Sequence, residues 1–499
     1  MQDSSELFDV VIVGYGPVGG TLANLLVQQG LTVAILDREA SVYHLARAGH
    51  FDAEIMRIFQ SIGIAEQVES QCGITLGMRW LDADGALLME WQRGGAKGPY
   101  GWVSDYMFHQ PDLEHTLRAK LASSPNAKSY LQHEVYAIED RQDHVVVRAE
   151  DTSNGRLVNI RGRYVLGCEG ARSLVRRVIG SEHEDLGFKQ RWLVVDVRER
   201  RDLGLERVSI QHCNPARPMY ASVTAKGMLR WEVMLKPDDD PGRVTRESAV
   251  WDFIESSVRP IAREDGEITR AVAYTFESLI ATSWRKGRLL IAGDAAHRTP
   301  PFLGQGMCAG IRDAANLAWK LAAVCQRRAD ESLLDTYQSE RYPHVRAFIQ
   351  GAIDSGKIIQ MSDPAALVAR TQDMRANPKD YAPPNPPLGP GLNPDHGKGG
   401  LGRQLVQPIV EGKLLDDHIG HAFAVISTQA FAQRYAPVMQ QLKDKNQLRC
   451  ITLPDALAGT LDAYEAPAIL IRPDRYVHAA IKDDKSLLAA VNGLPLHLN

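Results

Sequence analysis

The chain has 499 residues, enough for two to four domains, and its 44% hydrophobic and 24% charged residues are the balance of an ordinary globular protein. Its 57 Lys and Arg stand against 61 Asp and Glu, a net charge of −4, which argues against nucleic acid or an anionic membrane as partner. No run approaches the roughly 18 apolar residues of a membrane span, and the acidic start MQDSSELFD does not read as a signal peptide. The six cysteines form no C-x-x-C pair and no metal spacing, so free thiols in a reducing cytoplasm are expected, with no metal site.

Residues 8–13, FDVVIV, form a short β-branched run that predicts a buried parallel strand. Gly14-Tyr15-Gly16-Pro17-Val18-Gly19 follows as G-x-G-x-x-G, then a helix from Pro17 to about Gln29 with Gly30 at its stop. A second strand over 32–36 ends at Asp37, 23 residues after Gly14. Each part has a physical reason. Gly14 turns the chain, Gly16 lets the backbone approach a pyrophosphate, Gly19 allows helix–strand packing, and Asp37 accepts from a ribose hydroxyl. Strand, helix and acidic end agree on a dinucleotide site, but the motif alone does not separate FAD from NAD.

Residues 45–50, LARAGH, read alone as a solvated turn. Strands with turns are expected over 78–91 and 98–107, a helix from Gln110 to about Leu121, and strands over 131–138, 145–149 and 163–170. From 192 to 284 alternating stretches at 208–212, 219–224, 227–235 and 272–276 predict a mostly antiparallel sheet. Within it Leu229, Trp231, Val233 and Leu235 share one face and Arg230, Glu232 and Met234 the other. His212, Arg217, Tyr220, Trp231 and Met234 are pocket candidates, each more readily read as packing or surface.

Residues 289–292 predict a buried strand stopped by Gly293 and Asp294. A Pro- and Gly-rich loop runs to Gly306, and a long amphipathic helix begins at about Met307. Its N-terminus offers free N–H groups and a positive dipole end to an electron-rich ligand. Helix is expected to continue over 322–348, with one more helix over 361–368. Residues 377–399 are dense in Pro and Gly and read as a linker. Strands at 423–426, 448–453 and 468–472 mark a tail domain.

The stretch GD-x2-H-x2-PP-x2-GQG-x3-G-x2-DA-x-NLAWKL, 293–321, resembles the second FAD fingerprint of single-component aromatic hydroxylases. The Arg-Ala-Gly segment at Arg47, the Gln-Pro-x-Leu-Glu segment at Gln110, the Gly170–Arg176 stretch and LLDTYQSERYPHVRA, 333–347, resemble that family in the same order. The 3-(3-hydroxyphenyl)propionate and phenol hydroxylases are the nearest in pattern, through Asn214–Pro218 and Arg230–Glu232. Glu169 replaces the family's usual Asp and Cys308 its frequent Asn.

The resemblance implies an α/β fold in which a discontinuous Rossmann-like FAD-binding domain (1–75, 108–185, 285–350) carries an inserted substrate sheet (76–107, 186–284). A helical segment and linker (351–399) and a thioredoxin-like tail (400–499) without C-x-x-C would follow. It implies FAD as cofactor, held by Gly14, Gly16, Pro17, Val18, Gly19, Asp37, Arg38, Arg47, Gln110, Val135, Gly170, Gly293, Asp294, Pro301, Gly304, Gly306, Met307 and Cys308. NADH or NADPH would be the transient reductant. The implied reaction is hydroxylation of a small phenolic substrate by O2 through a flavin C4a-hydroperoxide, with Arg47, His50 and Pro300 as catalytic candidates. His50, His212 and His297 are the options for a general base. A cytoplasmic homodimer is expected. The alternatives are an FAD reductase, dehydrogenase or halogenase of the same fold, although the Trp-x-Trp-x-Ile-Pro segment of tryptophan-type halogenases is absent, and a non-catalytic flavin-binding module.

Overall fold

The computed structural model describes residues 2–225, 227–377, 379–392, 397–443 and 448–497. Its first sheet is built on the strand Gln2–Val13, which pairs in parallel with Arg156–Gly167 on one side and Val33–Asp37 on the other. Leu289–Ile291 and Ala127–Leu131 extend the parallel set outward. Val10, Val11 and Ile12 are fully buried, as a near-continuous β-branched run requires when helices cover a parallel strand. The expected strand over 163–170 is the end of a longer one, and its N-terminal half pairs antiparallel with Val145–Asp151.

The parallel register leaves Val13, Asp37, Gly167 and Ile291 ending along one edge. In such sheets ligands sit beyond the carboxyl ends of the strands. The helix Pro17–Gln28 leaves this edge directly, and the helix Gly306–Cys325 packs against it. The approach is close: a Cβ on Gly310 would lie 2.9 Å from the Gly293 Cα and 2.6 Å from Val18 Cγ2.

A nine-stranded sheet forms the second layer. Its order is His297–Arg298, Gly266–Ala281, His183–Glu199, Met228–Met234, Met219–Val223, Ser209–His212, Gly77–Leu81, Leu87–Gln92 and Lys379–Asp380. Neighbours are antiparallel except at two places, where Ser209–His212 meets Gly77–Leu81 and Lys379–Asp380 meets Leu87–Gln92. One face, with Leu193, Val195, Leu229, Trp231 and Val233, packs on the helix Glu247–Glu255 through Val250, Trp251 and Ile254. The other face looks toward the parallel sheet's ligand edge.

Three sequence expectations need correction. Helix does not continue over 322–348: it ends at Cys325, Arg327 takes a left-handed φ of 57°, a 3-10 turn spans Glu331–Asp335, and a new helix runs Thr336–Ile359. The helix Gly306–Cys325 is also not amphipathic toward solvent. Arg312, Asp313, Asn316 and Lys320 are all buried, because the tail and the helix Thr336–Ile359 cover its polar side. The helix expected over 361–368 lies at Pro364–Ala376, where Asp363 caps the Ala366 N–H.

The Pro- and Gly-rich stretch does not hang free. Gly389 N–H bonds the Glu340 carbonyl at 2.8 Å, and a Cβ on Gly389 would fall 2.1 Å from the Ser339 carbonyl oxygen. Pro378 and residues 393–396 of that stretch lie outside the described residues. The tail holds a four-stranded sheet, Leu448–Leu453, Phe423–Thr428, Ala468–Ile471 and Val477–Ile481, with the first pair parallel and the others antiparallel.

The tail is bolted on by buried charge. Arg472 forks onto Glu340 at 2.7 and 2.8 Å, Lys320 meets the same carboxylate at 2.7 Å, and Arg57 grips Asp416 at 2.8 and 2.9 Å. Glu54 accepts from Tyr476 at 2.6 Å and from Gln404 at 2.7 Å, and its other oxygen accepts from Arg312 at 2.6 Å.

Candidate active site

A cavity of about 750 Å³ runs from the ligand edge of the parallel sheet to the inner face of the nine-stranded sheet. The glycine bend forms one end. Gly14 has φ +102°, and a Cβ there would sit 2.5 Å from the Cys168 carbonyl oxygen; on Gly19 it would sit 2.0 Å from the Gly14 oxygen. These two glycines are required by packing. Gly16 differs, because a Cβ there meets nothing within 4 Å and projects into the cavity. The helix Pro17–Gln28 has no side-chain cap, so its first N–H groups are left for a ligand. Asp37, at the end of its strand, accepts from the Tyr15 N–H at 2.8 Å and the Glu39 N–H at 3.0 Å, which fixes its carboxylate at the rim. Pro17, Val18, Arg38 and Val135 line the same end. Together these features fit the adenosine and pyrophosphate of a dinucleotide.

The middle is built by the loop of Arg47 and the bend of Asp294. The Gln110 side-chain oxygen accepts from the N–H groups of both Arg47 and Ala48 at 2.8 Å, and its amide donates to Glu114 at 2.7 Å. Gln110 lines the cavity, yet its hydrogen bonds hold the Arg47 loop. From the other side Arg230 donates to the Arg47 carbonyl at 3.0 Å and the Ala46 carbonyl at 3.1 Å. The Arg47 guanidinium itself lies over the Tyr43 ring, 5.4 Å from its centre. Asp294 opens onto the cavity, and desolvation raises its pKa against the pull of His297 and Arg47. Gly170, Pro301, Gly304, Gly306 and Met307 complete this wall.

Four expected residues stand just behind it. Gly19 and Gly293 shape the bends without lining the space, Pro300 precedes the Pro301–Leu303 turn with its ring buried, and Cys308 is buried with its thiol toward the His50 and Gly304 carbonyls. Glu169 spends one oxygen on the Val175 N–H at 2.9 Å, so it braces a helix start. Glu169 also lines the cavity, as do Tyr15 and Arg118, which sequence reasoning missed. Arg118 donates to the Tyr15 carbonyl at 2.9 Å and stacks on its ring at 4.4 Å, a contact between positions 103 residues apart that no local pattern signals.

The far end is the sheet face. Trp192, Gln211, Tyr220 and Glu232 project into it, and Trp91, Arg93 and Phe302 close it. Of the five pocket candidates Tyr220 alone lines the cavity. Trp231 shares its face with Leu229 and Val233 and is buried in the opposite core, its indole N–H bonded to Ser257 at 3.2 Å. His212 is one residue out of phase with Gln211 and so points to the other face. Arg217 is held by Asp239 at 2.6 Å beside Phe253, and Met234 packs in the Trp80–Trp192–Phe302 cluster.

Of the three histidines, His297 is 1% exposed and bound to Asp313 at 2.6 Å, away from the cavity. His50 lines the cavity. A small sheet brings His50–Asp52 beside Asp105–Met107, and His50 Nε2 meets Asp105 Oδ1 at 2.6 Å. Arg93 pairs with the same carboxylate. Burial, then the Arg93 charge, push the His50 pKa down to about 4, so the ring is neutral and donates from Nε2 to Asp105. Its Nδ1 is buried against the Gly304 backbone.

Comparison with known proteins agrees with this geometry. Residues 8–352 match the model of the FAD binding domain family. A probable NADH-specific resorcinol 4-hydroxylase of Rhodococcus jostii (strain RHA1) is 35% identical, over 98% of this chain and 96% of its own. A 3-(3-hydroxy-phenyl)propionate/3-hydroxycinnamic acid hydroxylase of Mycobacterium sp. (strain JLS) is 32% identical, over 95% and 89%. Aklavinone-11 hydroxylase, solved with FAD and aklavinone, shares the fold at a TM-score of 0.80 and 21% identity, covering 99% of each chain. The glycine bend, the Asp294 turn and these matches make the chain a member of the FAD-dependent aromatic hydroxylase family, with FAD as its cofactor.

Proposed function

We propose that the chain hydroxylates a small phenolic ring at the sheet end of its cavity, using O2 and a nicotinamide reductant. The observation that carries this reading is the continuity of the cavity, which joins the dinucleotide cradle at Gly16 and Asp37 to an aromatic-walled chamber. FAD, when bound, supplies electron transfer from the nicotinamide and activation of O2. The chain's own residues do the rest. Gly14–Gly19, Asp37 and Asp294 hold the cofactor, and the Gln110- and Arg230-braced loop presents Arg47 to it. Trp91, Trp192 and Phe302 wall the chamber against water, which protects a reactive oxygen species from loss. Neutral His50, held by Asp105 through Nε2, lines the chamber as the candidate general base for the phenol proton.

The relative's NADH specificity makes NADH the first reductant to try. The parallel sheet with its edge cradle supports a Rossmann-like domain, the nine-stranded sheet an inserted substrate domain, and the four-stranded tail sheet a thioredoxin-like unit with a packing role. A cytoplasmic homodimer completes the reading, and light scattering tests the assembly. The main experiment is to add substituted phenols to the purified yellow protein and follow NADH and NADPH oxidation under ¹⁸O2. One labelled oxygen in the product is expected. Phenol-independent oxidation with no label in the product would refute the proposal.

A further inference from the structure

Two polar side chains of the chamber point to a narrower substrate; this step rests on the hydroxylase reading above. The cations there are largely engaged by two carboxylates. Arg230 forks onto Asp196 at 2.6 and 3.0 Å, Arg270 lies 3.6 Å from the same carboxylate, and Arg93 is paired with Asp105. Arg270 keeps a buried Nε without a hydrogen-bond partner among the described residues.

Besides the His50 Nδ1 and the Trp192 indole N–H, two more side chains lack a hydrogen-bond partner among the described residues. Gln211 is 2% exposed, and its side-chain carboxamide makes no hydrogen bond. Glu232 lines the cavity with no hydrogen-bond donor on its carboxylate. A buried amide left this way costs free energy unless a ligand completes it, and the half-buried Glu232 carboxylate beside it is open to the same ligand. Burial raises the Glu232 pKa, with Arg230 opposing, which agrees with a carboxylate short of partners.

The register places these two groups together. Gln211 pairs with Tyr220, and Tyr220 pairs with Glu232, so the three lie in one row across neighbouring strands. At about 4.8 Å per strand, the outer two backbones are roughly 10 Å apart with Tyr220 between them. A ring lying over Tyr220 would present a substituent to each. Both groups suit a hydroxyl: Glu232 accepts from it, and the Gln211 amide can donate or accept. A carboxylate would face Glu232 with like charge.

We propose that the chamber selects a neutral ring carrying two hydroxyl groups, one bonded by Glu232 and the other by Gln211, and rejects rings bearing a carboxylate side chain.

The test uses the FAD-loaded protein and three probes: resorcinol, 3-(3-hydroxyphenyl)propionate and 3-propylphenol, which has the bulk without the charge. Binding is read from the change in flavin absorbance on titration, turnover from NADH oxidation and product. Resorcinol should bind and turn over best, with the propionate the poorest. Glu232→Gln should raise the KM for resorcinol by about 10- to 100-fold, the range for a hydrogen bond to a charged group. It should also improve the propionate relative to resorcinol, and Glu232→Asp should recover part of the loss. Gln211→Leu should weaken resorcinol but leave 3-propylphenol affinity nearly unchanged. A wild-type preference for the propionate, or an unchanged resorcinol-to-propionate ratio in Glu232→Gln, would overturn the inference while leaving the hydroxylase reading standing. Tight resorcinol binding without hydroxylation of any probe would do the reverse.

Discussion

Gly16 and Gly19 sit three residues apart in one motif and do different work. A Cβ on Gly19 would collide with the Gly14 carbonyl oxygen, whereas a Cβ on Gly16 would enter open cavity. Gly19→Ala should therefore lower thermal stability and flavin content together. Gly16→Val should strip the flavin, read as the ratio of visible to 280 nm absorbance, while the melting temperature of the flavin-free protein stays near wild type. His50 gives a second prediction at this scale. Its pKa lies near 4, below the ordinary histidine value, so its neutral, proton-accepting form survives to lower pH. The acid limb of kcat/KM should show no inflection near 6.5, and His50→Asn should lower kcat by about 10²–10⁴-fold, the span of general base catalysis. An inflection near 6.5 that disappears in His50→Asn would show an unshifted histidine. The glycine bend, Asp37 and Asp294 were legible in the sequence because their chemistry is local. Arg93, Asp105, Arg118 and Glu232 were not, because their roles depend on partners that the fold brings from distant positions.

At the scale of elements, parity decides which side chains reach the cavity. Along Met228–Met234, Trp231 goes to the core under the helix Glu247–Glu255 and Glu232 goes to the chamber. The alternation was visible in the sequence, but the direction of each face was not, since either could have met the cofactor. Trp231→Ala should destabilise the protein by about 3–5 kcal/mol, the cost of emptying an aromatic core site, with KM for the phenol little changed. A large KM change without loss of stability would reassign that face. Gln110 is the corresponding device for the loop of Arg47. Gln110→Leu leaves the Arg47 and Ala48 N–H groups unpaired, so stopped-flow reduction by NADH should slow and flavin should dissociate faster. The long helix Gly306–Cys325 shows the limit of periodicity. Its charged residues marked a solvent face only until other elements supplied buried partners.

Across the whole molecule, the tail and the cofactor-binding part share one buried charge network. Arg472 and Lys320 both bind Glu340, and these charges hold the Glu340 carboxyl well below the usual carboxylate range. A depressed carboxylate pKa gives stability that is present above the unfolded value and lost as the pH falls below it. Acid should therefore loosen the tail first, detectable as early hydrogen exchange over 468–481. Glu340→Ala leaves two buried cations without their shared partner and should cost about 3–5 kcal/mol, read by denaturant unfolding. The Pro-rich stretch of 377–399 read as a boundary in sequence. Composition marked where helix and strand stop, but could not show that Gly389 lies flat against the backbone of Ser339.

The contact at Glu54 reaches furthest. Tyr476 and Gln404 of the tail hold one of its oxygens, and Arg312 carries the connection to Asp52 at 2.5 Å and to Gln305 at 2.8 Å, beside the bend that opens the long helix. The appendage is thus not an interchangeable module. Transplanting one from a homologue should succeed only if the donor brings a phenol and an amide to the same spots, and a mismatched hybrid should betray itself first in the colour of the bound flavin.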